Sequence, residues 1–371
     1  MKGVTDFECK AKSYWRHRYA ASAAGLAVLM AFLLWFQLGG ISHLFKGIAE
    51  SLSTGYYPQL LVYLSIFGLL TYIITLPLDF YGGFILERRY SLSDQRAGRW
   101  FKDEAKKAAI SAILFLASVI SLYAIASLFR SIWWPVASIF WISLTVIMAQ
   151  AFPVLVLPLF YKYKPLSSND LKNKCLELAG AFDINVIDVY EIDYSKTTKK
   201  SNAAVIGLGG SRRIIMADNL IREFSEDEVV AVLAHEMAHH KMKHMWILIS
   251  VSALSITAFF YLLELLAGPI ASLALASDIT DMAAFPPVYF TFLLYGLAAA
   301  PIHNIISRKL ETDADTMALT ITKRPDVFIS MMERLGRRNL ADFKPNGIVE
   351  FLLYSHPSIS KRIALARKFQ K

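Results

Sequence analysis

Apolar residues in this chain collect in six long runs separated by polar segments. Each run is about 20 residues or longer, the length an α-helix needs to cross a hydrocarbon core of roughly 30 Å. The runs lie near Tyr19 to Leu38, Tyr57 to Phe80, Ala108 to Phe129, Ile132 to Phe160, Trp246 to Leu266 and Val288 to Ile306. Because prolines interrupt the fourth run and leave its ends uncertain, the pattern predicts an α-helical integral membrane protein with six to seven transmembrane helices.

The polar stretch between the fourth and fifth runs predicts a small α+β unit. Ser168 to Ala181 has helical periodicity, and Asn185 to Tyr190 alternates like a strand. Ala203 to Leu208 and Arg213 to Ala217 flank Gly209-Gly210-Ser211, which favours a β-hairpin.

This organisation divides the chain into two domains. We expect residues 1–160 to form a membrane domain of four spans, with a charged cytoplasmic loop at residues 87–107. Residues 161–371 then hold the α+β unit, two further spans near 246–266 and 288–306, and a cytoplasmic C-terminal tail.

The basic residues predict the orientation in the membrane. Six crossings put both termini on one side, and that side holds all of the 39 lysines and arginines except Lys46 and Arg130. Such an excess marks the cytoplasmic face. The net charge of +9 follows from this bias and suits anionic lipid, so it gives no support to nucleic acid as a partner. The membrane would be the plasma membrane in a prokaryote and the endoplasmic reticulum in a eukaryote.

Candidate chemistry lies just before the fifth run, in His235-Glu236-Met237-Ala238-His239. Residues four apart share one helix face, so the two imidazoles can bind one metal ion. Zinc lowers the pKa of a bound water, and a neighbouring carboxylate can accept the water's proton as it attacks a peptide carbonyl. Ser225 and Glu228 match a capping box upstream, which predicts that the motif lies on a helix.

Two more histidines follow the motif. His240 and His244 share the same spacing, but lysines lie between them and no acid follows His240. We interpret them as a basic turn facing lipid headgroups rather than as a second metal-binding pair.

A catalytic zinc needs a third protein ligand, and Glu311 is the best candidate. Glu311 and Asp315 lie four apart after the sixth run, so one could bind metal while the other orients a ligand histidine. Two membrane crossings separate His239 from Glu311, which returns the chain to the same side. At 1.5 Å per residue, both residues lie within roughly 15 Å of one interface. The topology therefore permits a shared site.

With these residues, the sequence resembles membrane-bound zinc metalloproteases, the group of type I CAAX prenyl endopeptidases and HtpX-like quality-control proteases. The zinc motifs at His235 to His239 and at Glu311 to Asp315 carry the resemblance. Ser201 to Ala204 resembles the family's edge strand, except that Ala204 replaces an aromatic residue. His356-Pro357 followed by Arg362, and the charged segment Glu87 to Ser93, resemble further family elements.

The resemblance implies a role for each candidate residue. His235, His239 and Glu311 would bind one Zn²⁺, Glu236 would be the general base, and Asp315 would orient a ligand histidine. Asn202 and His356 would position the substrate or stabilise the oxyanion. The strand after Asn202 would hold an extended peptide by β-addition, and the catalytic unit would be of the zincin type.

Three functions remain open at this point. The leading one is a zinc endopeptidase acting at the cytoplasmic side on peptides or proteins, including prenylated, CAAX-type polypeptides. The four spans of the N-terminal half favour the CAAX-protease architecture over the shorter HtpX-like proteins. Quality control of membrane proteins is the alternative, and a non-catalytic zinc-binding scaffold is the least favoured because structural sites normally have four protein ligands.

Overall fold

The computed structural model describes residues 2–207 and 212–370 of the chain. Within them, six helices are long and apolar enough to cross a membrane, and each coincides with one of the predicted runs to within one residue at its apolar end or contains it. They are Asp6–Leu38, Tyr56–Arg89, Ala97–Leu128, Trp133–Phe160, His244–Leu273 and Met282–Thr322. The helical membrane architecture predicted from the sequence is confirmed.

The first four spans belong to the N-terminal half. Their helices, with a short helix after the first span, are α1 (Lys2–Leu38), α2 (Ile41–Leu52), α3 (Tyr56–Phe80), α4 (Leu86–Arg89), α5 (Ala97–Leu128), α6 (Trp133–Ala151) and α7 (Leu157–Phe160). Single π-helical turns at Tyr81–Ile85 and Phe152–Val156 join α3 to α4 and α6 to α7. At 1.5 Å per residue α2 is about 18 Å long, too short to cross the bilayer.

The second half contains the remaining helices. They are α8 (Asn169–Ala181), α9 (Asp218–Glu223), α10 (Glu226–Lys241), α11 (His244–Leu273), α12 (Phe285–Thr322), α13 (Pro325–Arg338), α14 (Gly347–Leu353) and α15 (Ile359–Lys368). Ser168 caps α8 by accepting a hydrogen bond from the Leu171 amide. Short 3₁₀ turns occur at Tyr194–Lys196 and Met282–Ala284.

Two segments differ from the prediction. The expected charged loop at residues 87–107 is mostly helical, because α4 and α5 continue past the apolar runs and leave only Tyr90 to Arg96 between them. The expected C-terminal tail is also folded. α12 extends to Thr322, and α13 and α15 pack against the core of the catalytic unit through Phe328, Met331 and Ile363.

The α+β unit contains a four-stranded sheet. Its strands are β1 (Tyr163–Pro165), β2 (Asp188–Ile192), β3 (Ala203–Ile206) and β4 (Arg213–Ala217), in the order β1-β2-β4-β3. β3 and β4 pair antiparallel, as a hairpin requires, while the predicted Gly209-Gly210-Ser211 turn lies outside the described residues. The strand predicted at Asn185 to Tyr190 begins later, at Asp188.

The order of the strands leaves β3 at the edge of the sheet. Asn202 accepts a hydrogen bond from the Ala217 amide of β4, so the backbone groups of the alternate residues Ala203 and Val205 face away from β4. Of these backbone groups, the Val205 carbonyl lies 2.8 Å from His240 Nε2, so among the described residues the open part of this edge lies at Ala203.

Candidate metal centre

The helix that carries the histidine motif begins where the sequence predicts. Ser225 accepts a hydrogen bond from the Glu228 amide, and the Glu228 side chain accepts one from the Ser225 amide, which completes the capping box. Ser330 and Arg334 of α13 also donate to Glu228, at 2.7 Å each. α10 is therefore held firmly at its start, three turns before the histidines.

His235 and His239 of α10 meet Glu311 of α12. The Nε2 atoms of the two histidines lie 3.2 Å apart. Glu311 places Oε2 3.2 Å from His235 Nε2 and Oε1 3.3 Å from His239 Nε2. One nitrogen or oxygen atom from each residue lies within 4.8 Å of the others. The structure thus brings together the three predicted ligands from two helices.

The chemistry of this cluster suits a divalent cation. Asp315 Oδ1 lies 2.8 Å from His235 Nδ1, so that nitrogen carries the proton and Nε2 presents a lone pair towards the Glu311 carboxylate. Glu311 Oε2 is buried and has no hydrogen-bond partner among the described residues, and a cation between this oxygen and His235 Nε2 would satisfy both atoms. Two imidazole nitrogens and one carboxylate are the donors that zinc takes in catalytic sites.

The charges around His235 lead to the same conclusion. Burial and Arg362 lower the pKa of His235, but the neighbouring carboxylates of Asp315 and Glu311 outweigh them and raise it to about 9. The surroundings of this imidazole therefore favour positive charge at its position, and a bound metal would supply that charge in place of the proton.

Asp315 is itself held by an arginine to which the sequence analysis assigned no role. Arg362 of α15 donates through Nε to Asp315 Oδ2 at 2.7 Å and through Nη2 to Oδ1. Both side chains are buried. The resemblance contained Arg362, but its contact with Asp315 depends on how α15 packs on α12, which local sequence does not reveal. Arg362 fixes the carboxylate that orients His235.

His244 contradicts the interpretation as a headgroup-facing residue. It is 2% exposed, and its Nδ1 lies 2.9 Å from Nδ1 of His239. Lys243, with a φ of 56°, turns the chain between α10 and α11 and brings His244 back against the motif. His244 can therefore accept the Nδ1 proton of His239 and leave Nε2 free for metal. His240 also faces the protein, with Nε2 2.8 Å from the Val205 carbonyl.

The remaining predicted site residues line one cleft beside the cluster. Asn202, Glu236 and His356 surround a cavity of about 430 Å³, together with His235 and Arg362. His356 Nε2 lies 3.3 Å from Glu311 Oε1. Burial raises the pKa of the Glu236 carboxyl, and the neighbouring His235 and His239 lower it by less. A carboxylate of raised pKa is a more effective proton acceptor near neutral pH.

The cleft continues along the edge strand. A second depression, of about 920 Å³, lies on the other side of His239 and is lined by Val205, His240 and Trp246. Residues of β3 and its flanks line both cavities, with Asn202 and Ala203 in the first and Val205 and Ile206 in the second. Each cavity is also lined by one histidine of the cluster, His235 in the first and His239 in the second.

Two family models together match almost the whole chain. Peptidase family M48 matches residues 165–370, and the CAAX prenyl protease N-terminal model, described as five membrane helices, matches residues 6–162. With the helical bundle and the metal cluster, these matches define a multi-pass membrane metallopeptidase. The family is M48, and the chain belongs to it. In residues 6–162 the structure has four long apolar helices and the short α2.

Characterised and uncharacterised relatives cover most of this chain. An uncharacterised metalloprotease of Bacillus subtilis, YhfN, is 28% identical over 92% of this chain and 82% of its own length. CAAX prenyl protease 1 of Saccharomyces cerevisiae is 25% identical over 82% of this chain and 71% of its own length. The human CAAX prenyl protease 1 homolog is 24% identical over 95% of this chain and 82% of its own length.

The fold matches a solved structure. Ste24p of S. mikatae superposes with a TM-score of 0.85 at 21% sequence identity, covering 97% of this chain and 89% of that one. The resemblance to this family stated from the motifs is confirmed by these comparisons.

Proposed function

We propose that this protein is a zinc-dependent endopeptidase that cleaves lipidated, CAAX-type polypeptides at the cytoplasmic face of its membrane. The observation that carries the proposal is the cluster of His235, His239 and Glu311 in a groove beside an open edge strand. Zinc bound by these three residues would supply a Lewis acid for the peptide carbonyl. The cytoplasmic location rests on the distribution of lysine and arginine.

The residues of the groove have distinct tasks in this proposal. The substrate pairs with the edge of β3 at Ala203, whose backbone groups face away from β4 and can exchange hydrogen bonds with an extended peptide. Glu236 takes the proton of the attacking water and delivers it to the departing amine. Asn202 and His356 donate hydrogen bonds to the oxygen that gains charge. Asp315 and His244 hold the ligand imidazoles in the tautomer that leaves Nε2 free.

A cavity between the membrane helices supports a lipidated substrate. It has a volume of about 620 Å³ and is lined almost entirely by apolar side chains of α5, α6, α11 and α12. His303 lies at this cavity and precedes Glu311 by eight residues on α12. That spacing corresponds to about 12 Å along the helix. A hydrocarbon chain attached next to the scissile bond could therefore reach the cavity.

The test compares two peptides that end in the same Cys-aliphatic-aliphatic-X sequence, one with an S-farnesyl group and one without. We expect kcat/KM to be at least about tenfold higher for the farnesylated peptide, because burying a hydrocarbon chain contributes several kcal/mol. Gly296→Phe would fill the cavity and remove this preference, whereas Gly268→Phe, on an open surface of α11, should retain it.

Each outcome of this comparison decides one part of the proposal. Equal kcat/KM for the two peptides would contradict lipid selectivity while leaving the peptidase intact. Retention of the preference in Gly296→Phe would mean that the cavity does not hold the lipid. Absence of cleavage of either peptide by metal-loaded wild-type protein would contradict the endopeptidase function itself.

A further inference from the structure

An ionic cluster around the buried Glu87 joins the membrane domain to the segment that leads into the edge strand. We call Tyr14, Arg18, Glu87 and Lys200 the Glu87 cluster. Tyr14, Arg18 and Glu87 come from the membrane helices α1 and α4, whereas Lys200 belongs to the catalytic unit and precedes β3 by three residues. The charged segment that begins at Glu87 was noticed in the sequence, but the proposed chemistry gives it no task.

The contacts of Glu87 show that this is a built connection. Glu87 is 8% exposed, and its Oε1 accepts hydrogen bonds from Tyr14 at 2.6 Å and from Lys200 Nζ at 3.0 Å. Lys200 Nζ also lies 3.1 Å from the Tyr14 hydroxyl. Arg18 donates to the Gly82 carbonyl at 2.7 Å and lies 3.5 Å from Glu87. Lys200 is thus the one residue of the cluster through which the membrane helices hold the catalytic unit.

The backbone beside Lys200 is attached to the membrane domain as well. The Lys199 amide donates to the Leu92 carbonyl at 2.8 Å, and the Thr198 hydroxyl donates to the same carbonyl at 3.2 Å. Ser93 donates to the Thr197 carbonyl. Leu92 is buried with Tyr14 and Leu86, so the loop that offers these groups is itself fixed.

The opposite side of the segment is held by the catalytic unit. Asn219 donates to the Lys200 carbonyl at 2.8 Å, and Asn339 accepts from the Ser201 amide at 3.0 Å. Residues 198–201 belong to no helix or strand. Their local hydrogen bonds are those of the Thr198 amide with the Tyr194 carbonyl and of the Lys200 amide with the Thr198 hydroxyl, so their path depends largely on these tertiary contacts. The next residues are Asn202 and the open edge of β3. A shift at Lys200 would therefore be passed directly to the peptide-binding backbone.

We propose that Glu87 is a positioning residue for substrate, acting through Lys200 on the edge strand. The membrane domain then completes the peptide-binding site in addition to anchoring the protein. This inference rests on the proposed function, because it assumes that the substrate pairs with β3. In this proposal the membrane-domain segment from Glu87 to Ser93 holds the residues that precede β3. It requires no contact between that segment and the metal ligands.

The test measures peptide affinity and kinetics in Glu87→Gln, Lys200→Met and the double variant. We expect the dissociation constant of an extended fluorescent peptide, measured in a Glu236→Gln background, to rise about tenfold in each, with zinc content unchanged. With Glu236 present, KM should rise and kcat should change little. The double variant should be no weaker than either single variant, because both changes break one interaction.

Asp94→Asn is the matched control. Asp94 lies on the same loop as Leu92 and Ser93 and forms an ion pair with Lys199. Its side chain is 78% exposed, and such exposed pairs contribute little to stability. This variant should bind peptide like the wild type. If Glu87→Gln does not fold, Lys200→Met decides, because it leaves the membrane side of the cluster intact.

Three results would overturn the inference. They are unchanged affinity in Lys200→Met, an equal loss in Asp94→Asn, or a loss of kcat with no change in KM. If the Glu236→Gln protein with an intact cluster binds no peptide, the proposed function fails instead, so the two failures are distinguishable.

Discussion

Glu236→Gln is expected to reduce peptide cleavage by about a thousandfold or more while zinc stays bound. General-base catalysis typically contributes about 10²–10⁴-fold, and glutamine keeps the shape of the side chain but cannot accept the proton. Glu236 lines the cleft next to His235 and does not belong to the three-residue cluster, so the metal ligands remain intact. Steady-state kinetics on a peptide substrate, with zinc measured on the same preparation, checks this result.

Glu226→Gln provides the matched control for this prediction. Glu226 lies in the first turn of the same helix, pairs with Lys174 at the surface and is remote from the cleft. Cleavage by this variant should equal that of the wild type. Cleavage at the wild-type rate by Glu236→Gln would mean that another group accepts the proton.

Arg362→Met is expected to lower the stability of the metal-free protein by about 3–5 kcal/mol. The change removes the bidentate partner of Asp315 and leaves a buried carboxylate that is paired only with His235. Thermal unfolding in detergent, after treatment with a chelator, measures the effect without a contribution from metal binding.

The control and the double variant separate lost pairing from lost packing. Arg367→Met, at an exposed position of the same helix, should stay within about 0.5 kcal/mol of the wild type. Adding Asp315→Asn to Arg362→Met should recover part of the stability, because the buried charge is then absent. A decrease below about 1 kcal/mol in Arg362→Met, or no recovery in the double variant, would contradict the assignment.

The membrane helices were predictable because their signal is contained in local sequence. A run of apolar residues long enough to span the bilayer must satisfy its backbone hydrogen bonds internally, and a helix does so. The ends were less predictable. α5 begins at Ala97 and α12 continues to Thr322, since polar and charged residues propagate a helix outside the bilayer as readily as apolar ones do within it.

The three candidate metal ligands were also predictable, for two different reasons. His235 and His239 share a helix face through their spacing, and Glu311 follows from counting membrane crossings. The position of His244 could not be predicted in this way. The turn at Lys243 separates α10 from α11, so the helical periodicity of the motif does not extend to His244. The contacts of Arg362 with Asp315 and of Lys200 with Glu87 arise from tertiary packing, which local sequence patterns do not predict.

The assignment of the metal centre can be tested by measuring zinc by elemental analysis in purified wild-type and Glu311→Ala protein. We expect one zinc per chain in the wild type and loss of zinc with loss of cleavage in Glu311→Ala, because two histidines alone do not complete the site. Asp313→Ala, on the same helix but outside the cluster, should keep both. Full zinc occupancy in Glu311→Ala would contradict the assignment of the metal centre.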